Sequence, residues 1–193
     1  MVGVARKTFA AREDLLNRIS ELARERGYTI YDMVNEALEF AIRAYEGGSS
    51  PLKAIEALEE LRTMKRLGLV PCFERLWREV VEMAFKRSRQ EVLRLWLEAG
   101  EWLAKLYEAS HRDDPLGRLL EDLRRFAWRA EIEVERGGGQ VSIRATGPAL
   151  TEAHATLFAT MLEGALRALG YEASSKEVGS GFVRLRAVKG RSS

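Results

Sequence analysis

The apolar residues of this 193-residue chain change their spacing two-thirds of the way along. Up to Phe126 they recur every three or four positions, and from Ile132 they alternate with polar residues. The first spacing is one face of an α-helix and the second is one face of a half-buried strand. The switch restricts the chain to an α+β fold with helices first. In the last third, Ile132 and Val134 alternate with acids, "RGGG" turns the chain, and Val141, Ile143 and Ala145 alternate again, which predicts a hairpin. A helix from Thr151 to Leu169 follows, with Leu157, Phe158, Met161, Leu162, Ala165 and Leu166 on its apolar side. A second hairpin, about Tyr171 to Val178 and Phe182 to Val188, turns at "GSG" and completes a β-β-α-β-β unit.

The helical part is punctuated by caps. Leu15, Leu16, Ile19, Leu22 and Ala23 form a helix that stops at Gly27, and Thr29 caps a second helix with Asp32 reaching back in its first turn. That helix carries Val34, Ala37, Leu38, Ala41, Ile42 and Tyr45 on one face, and "GGSS" at Gly47 to Ser50 is the clearest linker. Ser50–Pro51 opens a third helix to about Leu67, whose apolar residues come every three positions and so drift around it. Helices from about Cys72 to Lys86 and from Arg89 to Ser110 come next; the second is apolar on most sides and reads as the central core helix. Asp114–Pro115 starts another, running to Phe126. The domains expected are 1–47, a connecting helix at 51–68, and 70–189.

Composition excludes several classes. A net charge of +2 is too small to argue for nucleic acid by itself, so any such case must rest on local charge. The single cysteine, Cys72, permits no intrachain disulfide and fits a reducing cytoplasm. Arg12, Glu13 and Asp14 interrupt any secretory leader, and no window approaches the length of a membrane span, so no membrane partner is expected. The bias to Arg and Glu is compatible with a heat-loving source.

Before the first helix, "RKTFAARED" alternates as a strand would: Arg6, Thr8 and Ala10 on one side, Lys7, Phe9 and Ala11 on the other. A lone strand cannot satisfy its backbone, and pairing with the same strand of a second copy would. Strand, "LLNRISELARERG" helix, "G-Y-T" turn and second helix, from Val4 to about Tyr45, resemble the ribbon-helix-helix DNA-binding proteins. The resemblance implies a homodimer through the N-terminal strand, bound to double-stranded DNA. Arg6, Thr8 and Ala10 would contact bases in the major groove. Lys7, Arg12 and the start of the second helix (Thr29, Ile30, Tyr31) would contact phosphates. Charge agrees, since the first twelve residues contain Arg6, Lys7 and Arg12 and no acid.

The remainder offers no catalytic constellation. His111 and His154 are isolated in sequence, "RGGGQ" and "GSG" sit between strands rather than before a helix, and no metal-ligand spacing is present. No enzyme activity, metal or cofactor is expected. From Phe73 to Val188, "LEAGEWLAKLY", "EIEVE", "VSIRA" and "ATLFATMLEGALRALGYEASSKEVGSGFVRLRAV" resemble, in order, the 4-vinyl-reductase-like (V4R) domains, relatives of haem–nitric-oxide-binding domains. That family's metal-binding cysteines are missing from "KEVGSGFVRL". The resemblance implies a sensor of small hydrophobic or aromatic ligands, lined by Phe73, Trp77, Trp96, Trp102 and Phe158. The expected fold class is thus α+β: a dimeric ribbon-helix-helix, a mostly helical region, and the β-β-α-β-β unit. The expected function is a homodimeric, sequence-specific transcription regulator with a C-terminal ligand-sensing or dimerisation domain. The alternative is an antitoxin-like or other interaction protein whose C-terminal domain binds a partner protein.

Overall fold

Capping residues in the sequence mark several of the helix ends in the first half. The computed structural model describes residues 8, 10–126 and 130–190, and the chain divides into two units, Met1–Gly68 and Leu69–Ser193. In the first, α1 (Glu13–Arg26) ends at Gly27, α2 is Ile30–Glu46 and α3 is Pro51–Arg66. Thr29 Oγ1 accepts from the Asp32 N–H at 3.1 Å, and Ser50 Oγ accepts from the Lys53 N–H at 3.3 Å, each satisfying an orphan donor of the first turn.

The ribbon-helix-helix class expected for this end is corrected. Thr8 and Ala10 to Arg12 form no strand, and Arg12 passes directly into α1, its carbonyl accepting from the Leu16 N–H at 3.1 Å. Arg6, Lys7 and Phe9 lie outside the described residues. Alternation is a weak signal over so few residues, and a strand forms only where a second edge takes up its N–H and C=O groups. Among the described residues the regular elements of the first unit are all helices.

The second unit contains α4 (Glu74–Arg87), α5 (Arg89–Ser110), α6 (Pro115–Phe126), β1 (Glu131–Gly137), β2 (Gln140–Thr146), α7 (Glu152–Ala168), β3 (Tyr171–Gly179) and β4 (Phe182–Lys189). The four strands make one antiparallel sheet in the order β1-β2-β4-β3, with Val134 opposite Ile143, Ile143 opposite Leu185, and Ala145 opposite Val183. Gly138 and Gly139, with φ of 56° and 74°, form the two-residue turn between β1 and β2 that only left-handed residues close without strain. Val141, Ile143, Ala145, Val183, Leu185 and Ala187 are buried on one face of the central strands. Arg144, Glu133, Arg184 and Glu177 pair on the other at 3.2 and 3.3 Å. The sheet is therefore open to water on one side. Its edge at β1 is covered by Arg124, which donates to the carbonyls of Ile132 (3.1 Å) and Val134 (3.4 Å). Arg136 donates twice to Asp114 at 2.9 Å, fastening β1 to the start of α6 and holding the Asp114 carboxyl below the usual carboxylate range.

Helix α7 lies against both the sheet and α5. Two glycines set its distance from α5. A Cβ on Gly100 would run into the carbonyl of Met161, and a Cβ on Gly164 into the carbonyl of Leu97. The two backbones touch where ordinary helix pairs are held apart by side chains at about 8–10 Å between axes. Gly100→Ala and Gly164→Ala should each cost about 1–3 kcal/mol of stability by overpacking. Gly137→Ala, where a Cβ meets open space, should change little. Thermal unfolding followed by circular dichroism checks this, and a Gly100→Ala melting temperature equal to that of Gly137→Ala would refute the close approach.

Candidate functional site

The first unit has almost no core of its own. Among its described residues only Ala23 and Leu67 are buried, while thirteen large apolar side chains, from Leu15 to Leu61, are exposed. A chain this short that buries so little cannot offset its conformational entropy. The deficit is shared by α3 and α2, and on α2 Ile30, Tyr31, Leu38, Ile42 and Tyr45 are each 46–66% exposed. Ile30 opens the helix, and from Tyr31 the others follow at intervals of seven, four and three positions along one side of it.

The residues expected at DNA fall around this helix. Arg6 and Lys7 are outside the described residues, and Thr8 and Ala10 are exposed coil. Arg12 donates from Nε (3.0 Å) and Nη2 (2.5 Å) to Asp14, which keeps the Asp14 carboxyl below its ordinary range. Thr29 Oγ1 also donates to Asp32 Oδ2 at 2.6 Å, so the Asp32 side chain turns back onto the cap. Ile30 and Tyr31 open α2, and their side chains belong to its apolar stripe.

The residues expected to line a ligand pocket do not converge. Trp77 of α4 and Trp96 of α5 meet, with ring centroids 6.3 Å apart. Phe158 packs instead against Ala145, Ala155, Ala159 and Val183 at the sheet. Phe73 and Trp102 are exposed. Six positions along a helix is about 240° at 100° per residue, so Trp96 and Trp102 point away from one another.

Sequence reading missed one polar cluster. Thr151, the N-cap of α7, donates through Oγ1 to Glu82 of α4, 69 residues away. The same oxygen accepts from the His154 N–H (3.3 Å) and lies 3.0 Å from His154 Nδ1. Since the hydroxyl proton goes to the carboxylate, Nδ1 carries the imidazole proton and Nε2 is bare. Nε2 is buried with no hydrogen-bond partner. Burial holds the His154 pKa below its ordinary value; Glu82 opposes the shift, and Arg78 adds to it.

Among the described residues no group of His, Cys, Asp and Glu is placed to hold a metal ion, and no helix is long and apolar enough to cross a membrane. The chain matches no protein-family model and no curated protein.

His154 makes stability pH-dependent with a definite sign. The unfolded chain binds a proton here as pH falls through about 6.5, whereas the folded chain resists protonation until lower pH. The contribution is therefore complete above that value and is lost as pH falls below it. The melting temperature of the wild type should drop on acidification from about pH 7 to 5, and His154→Gln should flatten that drop. An unchanged profile in the variant would refute the assignment.

Proposed function

We propose that the protein is a homodimeric, sequence-specific DNA-binding transcription regulator of the cytoplasm. The first unit associates with a second copy, and the second unit serves as a ligand-sensing or dimerisation domain. What carries this reading is the exposed stripe on α2. Five large side chains, roughly 500 Å² of apolar surface, lie on a unit with two buried residues among those described. A second copy covers such a surface with its own stripe, residue against residue across a two-fold axis.

Pairing also doubles the charge that DNA would meet. Arg6, Lys7 and Arg12 precede α1 with no acid among them, whereas the three helices carry both signs throughout. The Arg12–Asp14 pair is exposed on both sides and holds its arginine weakly against a competing phosphate. A two-fold molecule with a basic segment on each copy favours a palindromic site, read as two half-sites. The sensing role draws support from the resemblance of residues 73–188 to the V4R-like domains. Binding rather than catalysis is the activity expected of both units.

Salt-titrated binding to genomic fragments tests the proposal. The wild type should select particular fragments, with affinity falling as salt rises. Arg6→Ala should lower the slope of log affinity against log salt by about 1. Leu38→Asp with Ile42→Asp should sediment as monomer and bind at least about tenfold more weakly, because the dimer is what holds two half-sites. No selective binding by the wild type at low salt would overturn the DNA-binding reading and turn attention to a protein partner.

A further inference from the structure

Helix α4 is the least anchored helix of the second unit. It buries one residue, Val81, where α5 and α6 bury three each and α7 buries nine. Exposed chain from Gly68 to Phe73 leads into it, and a single non-helical residue, Ser88 at φ −142° and ψ 53°, joins it to α5. Trp77 meets Trp96 of α5, and Glu82 accepts the hydroxyl proton of Thr151 at the start of α7. His154 sits at that second contact, with Nδ1 3.0 Å from Thr151 Oγ1 and 3.9 Å from Glu82 Oε1. Among the described residues the charges that act on its ring both belong to α4: Glu82 favours the imidazolium and Arg78 opposes it.

We propose that His154 is a proton-operated latch on α4. The helix is docked while the imidazole is neutral, and on proton uptake it swings away from α7 about its two joints, leaving α5, α7 and the sheet folded. The docked ring carries its proton on Nδ1, and Nε2 is buried with no hydrogen-bond partner among the described residues. An imidazolium adds an N–H at Nε2 for which that place holds no acceptor, and a buried unmet donor is costly. With α4 lifted, the ring loses the neighbours of that helix and meets water, where it binds a proton at about pH 6.5. Proton uptake therefore favours the open state as pH falls below that value, and the docked state holds above it. Helix α4 is the first element after the unit boundary at Gly68, so its release lengthens the free connection between the units from residues 69–73 to 69–88. A longer flexible connection lowers the effective concentration of one unit at the other. The latch does not depend on DNA binding or on association through α2.

Hydrogen exchange of the full-length chain tests it, read peptide by peptide at about pH 7.5 and 5.5 and corrected for the intrinsic rates. Peptides from α4 should lose protection about three- to tenfold at the lower pH relative to those from α5 and α7, about tenfold being the ceiling for one proton one unit below 6.5. His154→Gln, which keeps a side-chain donor for Thr151 and does not titrate, should abolish the difference. Glu82→Gln keeps an acceptor for Thr151 and removes the charge that favours the imidazolium, so there the difference should grow. It also serves as the second variant should His154→Gln fail to fold. Loss of the difference in Glu82→Gln would assign the proton to that carboxylate and overturn the proposal. So would a difference retained in His154→Gln, α4 protection indifferent to pH, or α4 and α7 opening together, which is unfolding of the whole unit.

Discussion

The second unit depends on the approach of two helix backbones at Gly100 and Gly164. Helix α7 must serve the sheet on one side and α5 on the other, and a helix that buries residues all round has little room for long side chains everywhere. It meets the sheet with Ala155 and Ala159 and meets α5 through backbone at Gly164. A mid-helix glycine costs about 1 kcal/mol relative to alanine through chain entropy alone. Two facing glycines are sustained only where backbone-to-backbone dispersion and the burial of the surrounding leucines exceed that cost. The layering of α5, α7 and sheet follows from this one distance.

Much of the second unit was legible in its sequence because its signals are local. Alternation at Val141, Ile143 and Ala145, the Gly138–Gly139 turn, and the cap-plus-proline start at Asp114–Pro115 each depend on a few neighbouring residues. Gly100 and Gly164 went unread for the opposite reason. Within its own helix each is only a weak position, and its purpose exists only against a helix some sixty residues away in sequence. The same holds for Glu82 and Thr151. Thr151 was legible as the start of a helix, but the carboxylate that takes its hydroxyl proton was not. The opening strand failed differently: alternation over a handful of residues was read as structure, although strand formation is decided by a pairing edge that local pattern cannot supply.

Amphipathic pattern says that a face is buried without saying by what. Val34, Ala37, Leu38, Ala41, Ile42 and Tyr45 share one face of the second helix, yet Leu38, Ile42 and Tyr45 stay exposed in the described chain. The five aromatics assigned to a pocket show the same gap. Their size marked them as residues that avoid water, but Trp77 and Trp96 satisfy this by meeting each other, Phe158 by joining the sheet cluster, and Phe73 and Trp102 not at all within one chain.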